Sequence, residues 1–230
     1  IIGNTADLMS VQTEIAKADA IINRLGEVSG ELIEQCPNLR VVMRAGVGTD
    51  NFDIPTCTKR GIAVAICPGA NLRSVAEHAV ALGYMLAKKI YESVEEAKKG
   101  NFSIRNRFEA AELETKTVGV VGFGAIGRET AKLFEANGMN VSVYDPFVSK
   151  ETVESCGYSY IGDIYELLAV SELLTLHLPS TPQTKGMFGE AEFDAAKKGM
   201  YLINCARGDI INENALYNAL VSGKLGGAAT

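Results

Sequence analysis

The chain has 230 residues, of which 47% are hydrophobic and 22% charged, and its formal net charge is -6. That is the composition of a compact protein with a real core; it excludes a disordered or fibrous chain, and the mixed, mildly acidic charge offers no basic stripe for nucleic acid. No apolar run reaches the length of a membrane span, no basic start leads into a hydrophobic cleavable segment, and the five cysteines lack any C-x-x-C pair, so a cytoplasmic protein without disulfide framework or metal site is expected.

In chain order, Ile1-Ile2-Gly3 reads as the end of a strand, and Gly226-Gly227-Ala228-Ala229-Thr230 as another strand starting, so both ends read as cut. Ala18 to Arg24, Leu39 to Ala45 and Ile62 to Cys67 are short Ile/Val-rich runs bounded by turn residues, the pattern of buried strands. Val28 to Cys36 and Ile54 to Arg60 between them have helical spacing. Pro68-Gly69-Ala70-Asn71 marks a boundary, followed by one long helix over Ser74 to Lys99 and a loop over Phe102 to Glu114. Strands are then expected at Thr117 to Val121, Asn140 to Tyr144, Leu173 to Leu178 and Met200 to Cys205, with helices over Ala125 to Asn137 and Asn214 to Ser222. Such alternation argues for parallel sheets with crossover helices, in two α/β lobes divided as residues 1–70 and 71–230.

The strand Thr117 to Val121 runs into Gly122-Phe123-Gly124-Ala125-Ile126-Gly127 and then a helix. A bare G-x-G-x-x-G is weak, but at a strand-to-helix turn it has the context it requires. Gly122 permits the tight turn, Gly124 lets a pyrophosphate approach the backbone, Gly127 lets helix and strand pack closely, and the helix N-terminus favours phosphate. The next strand ends at Asp145, whose carboxylate can accept hydrogen bonds from both adenosine ribose hydroxyls and would repel the extra phosphate of NADP. The order strand, glycines, helix, strand, acid indicates NAD.

Ligands of open α/β sheets gather at the carboxyl ends of strands, which adds His177, followed by Leu178-Pro179, and Arg207, preceded by Cys205-Ala206. A guanidinium there suits a carboxylate or carbonyl oxygen, although position alone is equally compatible with a salt bridge between loops. His177 reads more readily as a histidine bonded to a neighbouring carbonyl, and His78, on the long helix among small residues, as a packing or hydrogen-bonded histidine rather than a catalytic one. In the first lobe, Arg24 closes one strand and Arg44-Ala45-Gly46-Val47-Gly48 follows the next, a glycine-bearing turn whose amides can hold an anion. Two arginines beside such a turn suggest an acidic substrate; ordinary surface arginines remain an equal reading.

Arg44 to Asn51, Asn71 to Glu77, Gly122 to Gly127, Tyr144-Asp145-Pro146, His177-Leu178-Pro179 and Asn204 to Gly208 occur in that order. Together, and across essentially the whole chain, this series resembles the NAD-dependent D-2-hydroxyacid dehydrogenases, most of all the branch acting on 3-phosphoglycerate. The resemblance implies two Rossmann/flavodoxin-like lobes, the nucleotide lobe inserted into a substrate lobe that is incomplete here. It implies cofactor contacts at Gly122, Gly124, Ala125, Ile126, Gly127, Asp145, His177, Leu178, Pro179, Cys205, Ala206 and Arg207, with Val47 beside the nicotinamide. It places Gly46, Val47 and Gly48 at the substrate carboxylate, Arg24 and Arg44 at its phosphate end, Asn71 near the reacting centre, and Arg207 as the catalytic arginine on the carboxylate and C2 oxygen. The family's proton-transfer histidine and its carboxylate partner would lie beyond Thr230, so neither His78 nor His177 takes that role. Also implied are a small 2-hydroxy or 2-oxo acid as substrate and a homodimer or higher oligomer. Two alternatives stand beside this reading: an NAD-responsive corepressor-like binding protein, and a reductase of another acid of the glyoxylate or hydroxypyruvate type.

Overall fold

A computed structural model describes residues 12–106 and 110–230. The strand end read at Ile1-Ile2-Gly3 lies outside the described residues, as do residues 107–109 of the expected loop. The chain divides into two compact units, Ile1–Asn71 and Leu72–Thr230.

In the first unit, α1 (Gln12–Ile15) precedes β1 (Ala20–Asn23), α2 (Gly30–Glu34), β2 (Val41–Arg44), α3 (Ile54–Lys59) and β3 (Ala63–Ala65). The strands form a parallel sheet in the order β1-β2-β3. Both longer helices start on side-chain caps, which satisfy amides that a helix leaves unpaired. Ser29 Oγ accepts from Leu32 N at 3.3 Å, and Asp53 accepts from both Thr56 N and Thr56 Oγ1 at 2.9 Å. Val42, with Ile21 and Val64 beside it in register, packs against Leu32, Ile33 and Cys57 of the helices. Arg60 then ties the end of α2 down by donating to the carbonyls of Ile33, Cys36 and Pro37. The alternate strand residues turn the other way, and Ile22 there is 73% exposed.

In the second unit, the six strands are β4 (Thr117–Val121), β5 (Asn140–Tyr144), β6 (Ser159–Tyr160), β7 (Leu173–Leu176), β8 (Met200–Asn204) and β9 (Leu225–Ala229). They are all parallel, in the order β6-β5-β4-β7-β8-β9. The sheet therefore starts in the middle, winds outward to β6, and restarts on the other side at β7. That is the doubly wound order with its switch point between β4 and β7. On one face, α4 (Leu72–Ala87) and α6 (Ala125–Ala136) pack with Val118, Val120, Leu173 and Ile203. On the other, α8 (Ile164–Val170), α9 (Glu190–Ala195) and α10 (Glu213–Val221) pack with Val121, Leu174, Leu176 and Leu202. A sheet covered on both faces explains why β4 and β7 read as continuous apolar runs rather than alternating ones.

The α/β class with parallel sheets is as expected, but three details differ. The long helix is two: α4 ends at Ala87, and α5 (Ile90–Lys98) starts after Lys89, which adopts a left-handed φ of 51°. No Gly or Pro announces that break. It coincides with tertiary contacts: Ala87 O accepts Ala111 N at 2.8 Å, and Lys89 Nζ lies 5.2 Å from the centre of the Tyr201 ring. The segment expected as a loop from Phe102 opens on a 3-10 turn, Phe102–Asn106. Short elements that the sequence reading left unassigned, α7 (Lys150–Glu154), β6, α8 and α9, fill the stretches between the long strands.

Gly119, in the middle of β4, has no room for a side chain: a Cβ would lie 2.4 Å from Ser171 Oγ and 2.8 Å from Leu174 Cδ1. Gly119→Ala is expected to overpack this layer and destabilise the unit by about 1–3 kcal/mol, read as a lower thermal midpoint; an unchanged midpoint would show that the layer yields freely.

Candidate functional site

The switch point is built from glycine. Val121 leads into Gly122, at a φ of +92° that L side chains rarely adopt, where a Cβ would also meet His177 O at 2.8 Å. At Gly127, in the first turn of α6, a Cβ would lie 2.0 Å from Gly122 O, so the helix can approach the strand only without one. Gly124 differs: a Cβ there would meet nothing within 4 Å. It is the N-cap of the twelve-residue α6 and supplies no side-chain cap. First-turn amides facing open space at a positive helix end are what a pyrophosphate requires.

Asp145 stands beside this turn at the end of β5 and is 9% exposed. Its Oδ2 accepts Phe123 N at 2.7 Å and its Oδ1 accepts Phe147 N at 2.8 Å. An ionised carboxylate has about four acceptor sites, so two backbone bonds fix its orientation and leave capacity for a ribose diol. The turn is walled by aromatic residues that the sequence reading did not single out. The Arg128 guanidinium lies 4.4 Å from the centre of the Phe123 ring, which meets Tyr158 edge-on at 5.9 Å. Burial, with Glu135 beside it, pushes the Tyr158 hydroxyl well above its ordinary pKa; its OH donates to Glu135 Oε2 at 3.0 Å. Arg128 follows the last glycine directly, and that adjacency is the sequence signal that could have marked it.

His177 lies under the glycine turn. Its backbone N donates to Val121 O at 2.8 Å, and its Nε2 pairs with Thr175 Oγ1 at 3.0 Å. Desolvation lowers its pKa from the ordinary 6.5 to about 4, so the ring is neutral at neutral pH. Leu178 is half-buried and packs toward Gly122, while Pro179 is exposed.

At the exit of β8, Cys205, Ala206 and Arg207 are half-buried. Asn204, 6% exposed, brackets them: its Oδ1 accepts Ala206 N at 3.0 Å and its Nδ2 donates to Arg207 O at 2.8 Å. The Arg207 Nη1 donates to Ala206 O at 2.9 Å. Beside this turn is a cavity of about 550 Å³, lined from α4 by Ser74 and His78, from the β8 exit by Asn204, Cys205 and Ala206, and at the end of β9 by Thr230. His78 is thus exposed on a cavity wall rather than packed among small residues as the sequence suggested. Burial raises the Cys205 thiol pKa, which leaves it a protonated wall group.

In the unit Ile1–Asn71, Arg24 is exposed and Arg44 half-buried at the ends of β1 and β2. Arg44 Nη1 donates to Asn23 Oδ1 at 3.2 Å and to the carbonyl of Arg24, and Asn51 Nδ2 donates to the same Asn23 oxygen at 3.2 Å and to the carbonyl of Gly26. Asn23, 6% exposed, is therefore the hub of this corner, a part the sequence reading missed. Arg44 Nε and Asn51 Oδ1 are buried with no hydrogen-bond partner among the described residues. Gly46 accepts from Cys67 N at 2.8 Å through its carbonyl, and Val47 is 42% exposed beside it, ahead of half-buried Gly48. Asn71, the last residue of this unit, is exposed.

Among the described residues, no cluster of His, Cys, Asp and Glu could hold a metal ion, and no helix is long and apolar enough to cross a membrane.

Residues 80–230 match the family model described as D-isomer specific 2-hydroxyacid dehydrogenase, NAD binding domain. The chain is 44% identical over 217 residues to the D-3-phosphoglycerate dehydrogenase of Archaeoglobus fulgidus, covering 94% of this chain and 41% of that one. It spans about two-fifths of the length of the curated relatives it matches. Among solved structures, the D-lactate dehydrogenase of Aquifex aeolicus complexed with NAD and lactic acid is 36% identical with a TM-score of 0.86, over 94% of this chain and 65% of that one. The NAD-dependent formate dehydrogenase of Staphylococcus aureus in complex with NAD is 31% identical with a TM-score of 0.88, over 99% and 68%.

The depressed His177 pKa sets an acid limb to stability. Between pH 6.5 and about 4 the unfolded chain binds a proton there that the folded chain does not, so stability is full above pH 6.5 and falls as pH drops toward 4. His177→Gln should flatten that limb in thermal midpoints measured against pH; the same acid slope in both proteins would remove this role.

Proposed function

The chain belongs to the D-isomer specific 2-hydroxyacid dehydrogenase family, and on that premise we propose that it is part of a cytoplasmic oxidoreductase that transfers a hydride between NAD and C2 of a D-2-hydroxy acid. The preferred substrate is 3-phosphoglycerate, and the enzyme works as at least a dimer. The observation that carries the cofactor half is the glycine turn facing open space beside the oriented Asp145 carboxylate. The substrate preference rests on Arg24 and Arg44 and on the 44% identity to a D-3-phosphoglycerate dehydrogenase.

NAD, when bound, supplies the hydride acceptor or donor. The amides of Gly124, Ala125 and Ile126 hold the pyrophosphate, and Asp145 takes the adenosine ribose hydroxyls. His177, Leu178, Pro179, Cys205 and Ala206 form walls of the cofactor site; Val47 is assigned to the nicotinamide from the family resemblance. Arg207 binds the substrate carboxylate and polarises the C2 oxygen, because a guanidinium can donate two parallel hydrogen bonds to that group. Within the first unit, Gly46 and Gly48 are assigned to a substrate carboxylate through their amides, Arg24 and Arg44 to a substrate phosphate, and Asn71 to the reacting substrate, each from the family resemblance. Proton transfer is assigned to neither histidine. A ring with a pKa of about 4 is a poor partner for a proton moving near neutral pH.

The deciding assay is NADH formation from 3-phosphoglycerate by the complete protein. Absence of turnover on any small hydroxy acid, with NADH still binding, would replace the enzyme by a cofactor-responsive binding protein. Arg207→Ala is expected to lower kcat by at least about a hundredfold with NADH affinity kept within about threefold; surviving turnover would remove the catalytic role. Asp145→Ala should weaken NADH binding by about tenfold or more and narrow the preference for NAD over NADP. An unchanged ratio of the two cofactors would show that Asp145 serves the turn and not the ribose.

A further inference from the structure

Two loops leave the sheet side by side, one after β7 and one after β8. The first, from Leu178 to Phe188, is folded on itself by two threonines. Thr184 Oγ1 donates to Pro179 O at 2.6 Å, Thr181 N donates to Thr184 Oγ1 at 2.9 Å, and Lys185 N donates to Thr181 O at 2.9 Å. Its far end is fastened to the second loop through the backbone: Gly186 N donates to Asp209 O at 2.7 Å, Phe188 N to Ile210 O at 3.1 Å, and Asn212 N to Phe188 O at 2.9 Å. Its near end, which carries Leu178 and Pro179, meets the second loop through a side-chain bond. Ser180 Oγ donates to Asp209 Oδ2 at 2.7 Å. Asp209 follows Arg207 by two residues, so one residue grips both ends of the first loop while standing next to the arginine turn.

We propose that Ser180 and Asp209 are a positioning pair, which holds the Leu178-Pro179 segment against the Arg207 turn and so couples cofactor binding to the placement of the arginine. The proposal rests on the assignment of Leu178 and Pro179 to the cofactor and of Arg207 to the substrate. A carboxylate acceptor makes this bond stronger than a neutral one. Lys185 Nζ, 3.9 Å from the same carboxylate oxygen, has a side chain 70% exposed and adds little. Neither partner lies in a packed core: Ser180 is half-buried and Asp209 exposed. Removing the bond therefore loosens the loop without unfolding the unit.

The test is a double-mutant cycle on the complete protein, read by NADH fluorescence titration, by kcat and KM for the hydroxy acid, and by thermal midpoint. Ser180→Ala and Asp209→Ala are each expected to weaken NADH binding about threefold to tenfold and to raise KM for the acid, at an unchanged midpoint. The double variant should be no worse than the weaker single, because both remove one bond, and Asp209→Asn, which keeps an acceptor for Ser180, should restore the affinity. Wild-type NADH affinity in both single variants, or effects that multiply in the double, would overturn the pair. A wild-type protein that binds NADH but turns over no hydroxy acid would overturn the oxidoreductase reading alone, and the affinity cycle would still decide the pair.

Discussion

The second unit depends on the approach of α6 to β4, where the Gly122 carbonyl occupies the space in which a side chain at Gly127 would begin. Close packing there brings the helix N-terminus to the centre of the sheet, at the point where strand order reverses. The same approach puts His177 beneath the turn, and its backbone sits where a Gly122 side chain would go. The turn is thus defined from the helix side and from the neighbouring strand side. Of the three turn glycines, only Gly124 keeps open space. Asp145 completes the arrangement by accepting the Phe123 amide, so the acid at the end of β5 also stiffens the glycine turn.

Both units use the same means of holding an arginine at a strand end. Asn23 closes β1 and Asn204 closes β8, and each is 6% exposed. A neutral amide provides a donor and an acceptor at once and has no charge to desolvate, so it can sit under a turn at lower cost than a carboxylate. Asn204 holds the backbone on either side of Arg207. Asn23 instead takes the Arg44 guanidinium itself. The two asparagines therefore act differently: Asn204 fixes the turn that carries its arginine, and Asn23 engages the side chain of its arginine directly.

The parts legible in the sequence are those whose physics is local or periodic. The buried strands of the second unit announced themselves as apolar runs because both faces of the sheet are covered, and the glycine turn did so because Gly122 and Gly127 each answer a steric demand while Gly124 keeps open space. Asp145 followed from its position at the next strand end. The illegible parts depend on contacts distant in sequence. Lys89 breaks the long helix with no Gly or Pro because Ala111 and Tyr201 engage its surroundings. Asn23 reads as an ordinary strand residue until Arg44 and Asn51 arrive from β2 and its exit loop. Ser180 and Asp209 are 29 residues apart, and neither residue type marks a pair.

The histidines show why residue type at a strand end is a weaker guide than environment. His177 follows a buried strand, yet its neighbours are the glycine turn and a threonine hydroxyl, and among the described residues no carboxylate stabilises an imidazolium there. Burial without a counter-charge drives such a ring to the neutral form. It pairs with the Thr175 hydroxyl and is poorly matched to moving protons near neutral pH. Acid–base work needs the reverse arrangement, a histidine raised toward neutrality by a carboxylate at its far nitrogen. The glycine turn tolerates His177 because the ring stays uncharged: a cation there would add a desolvated charge directly beneath the turn.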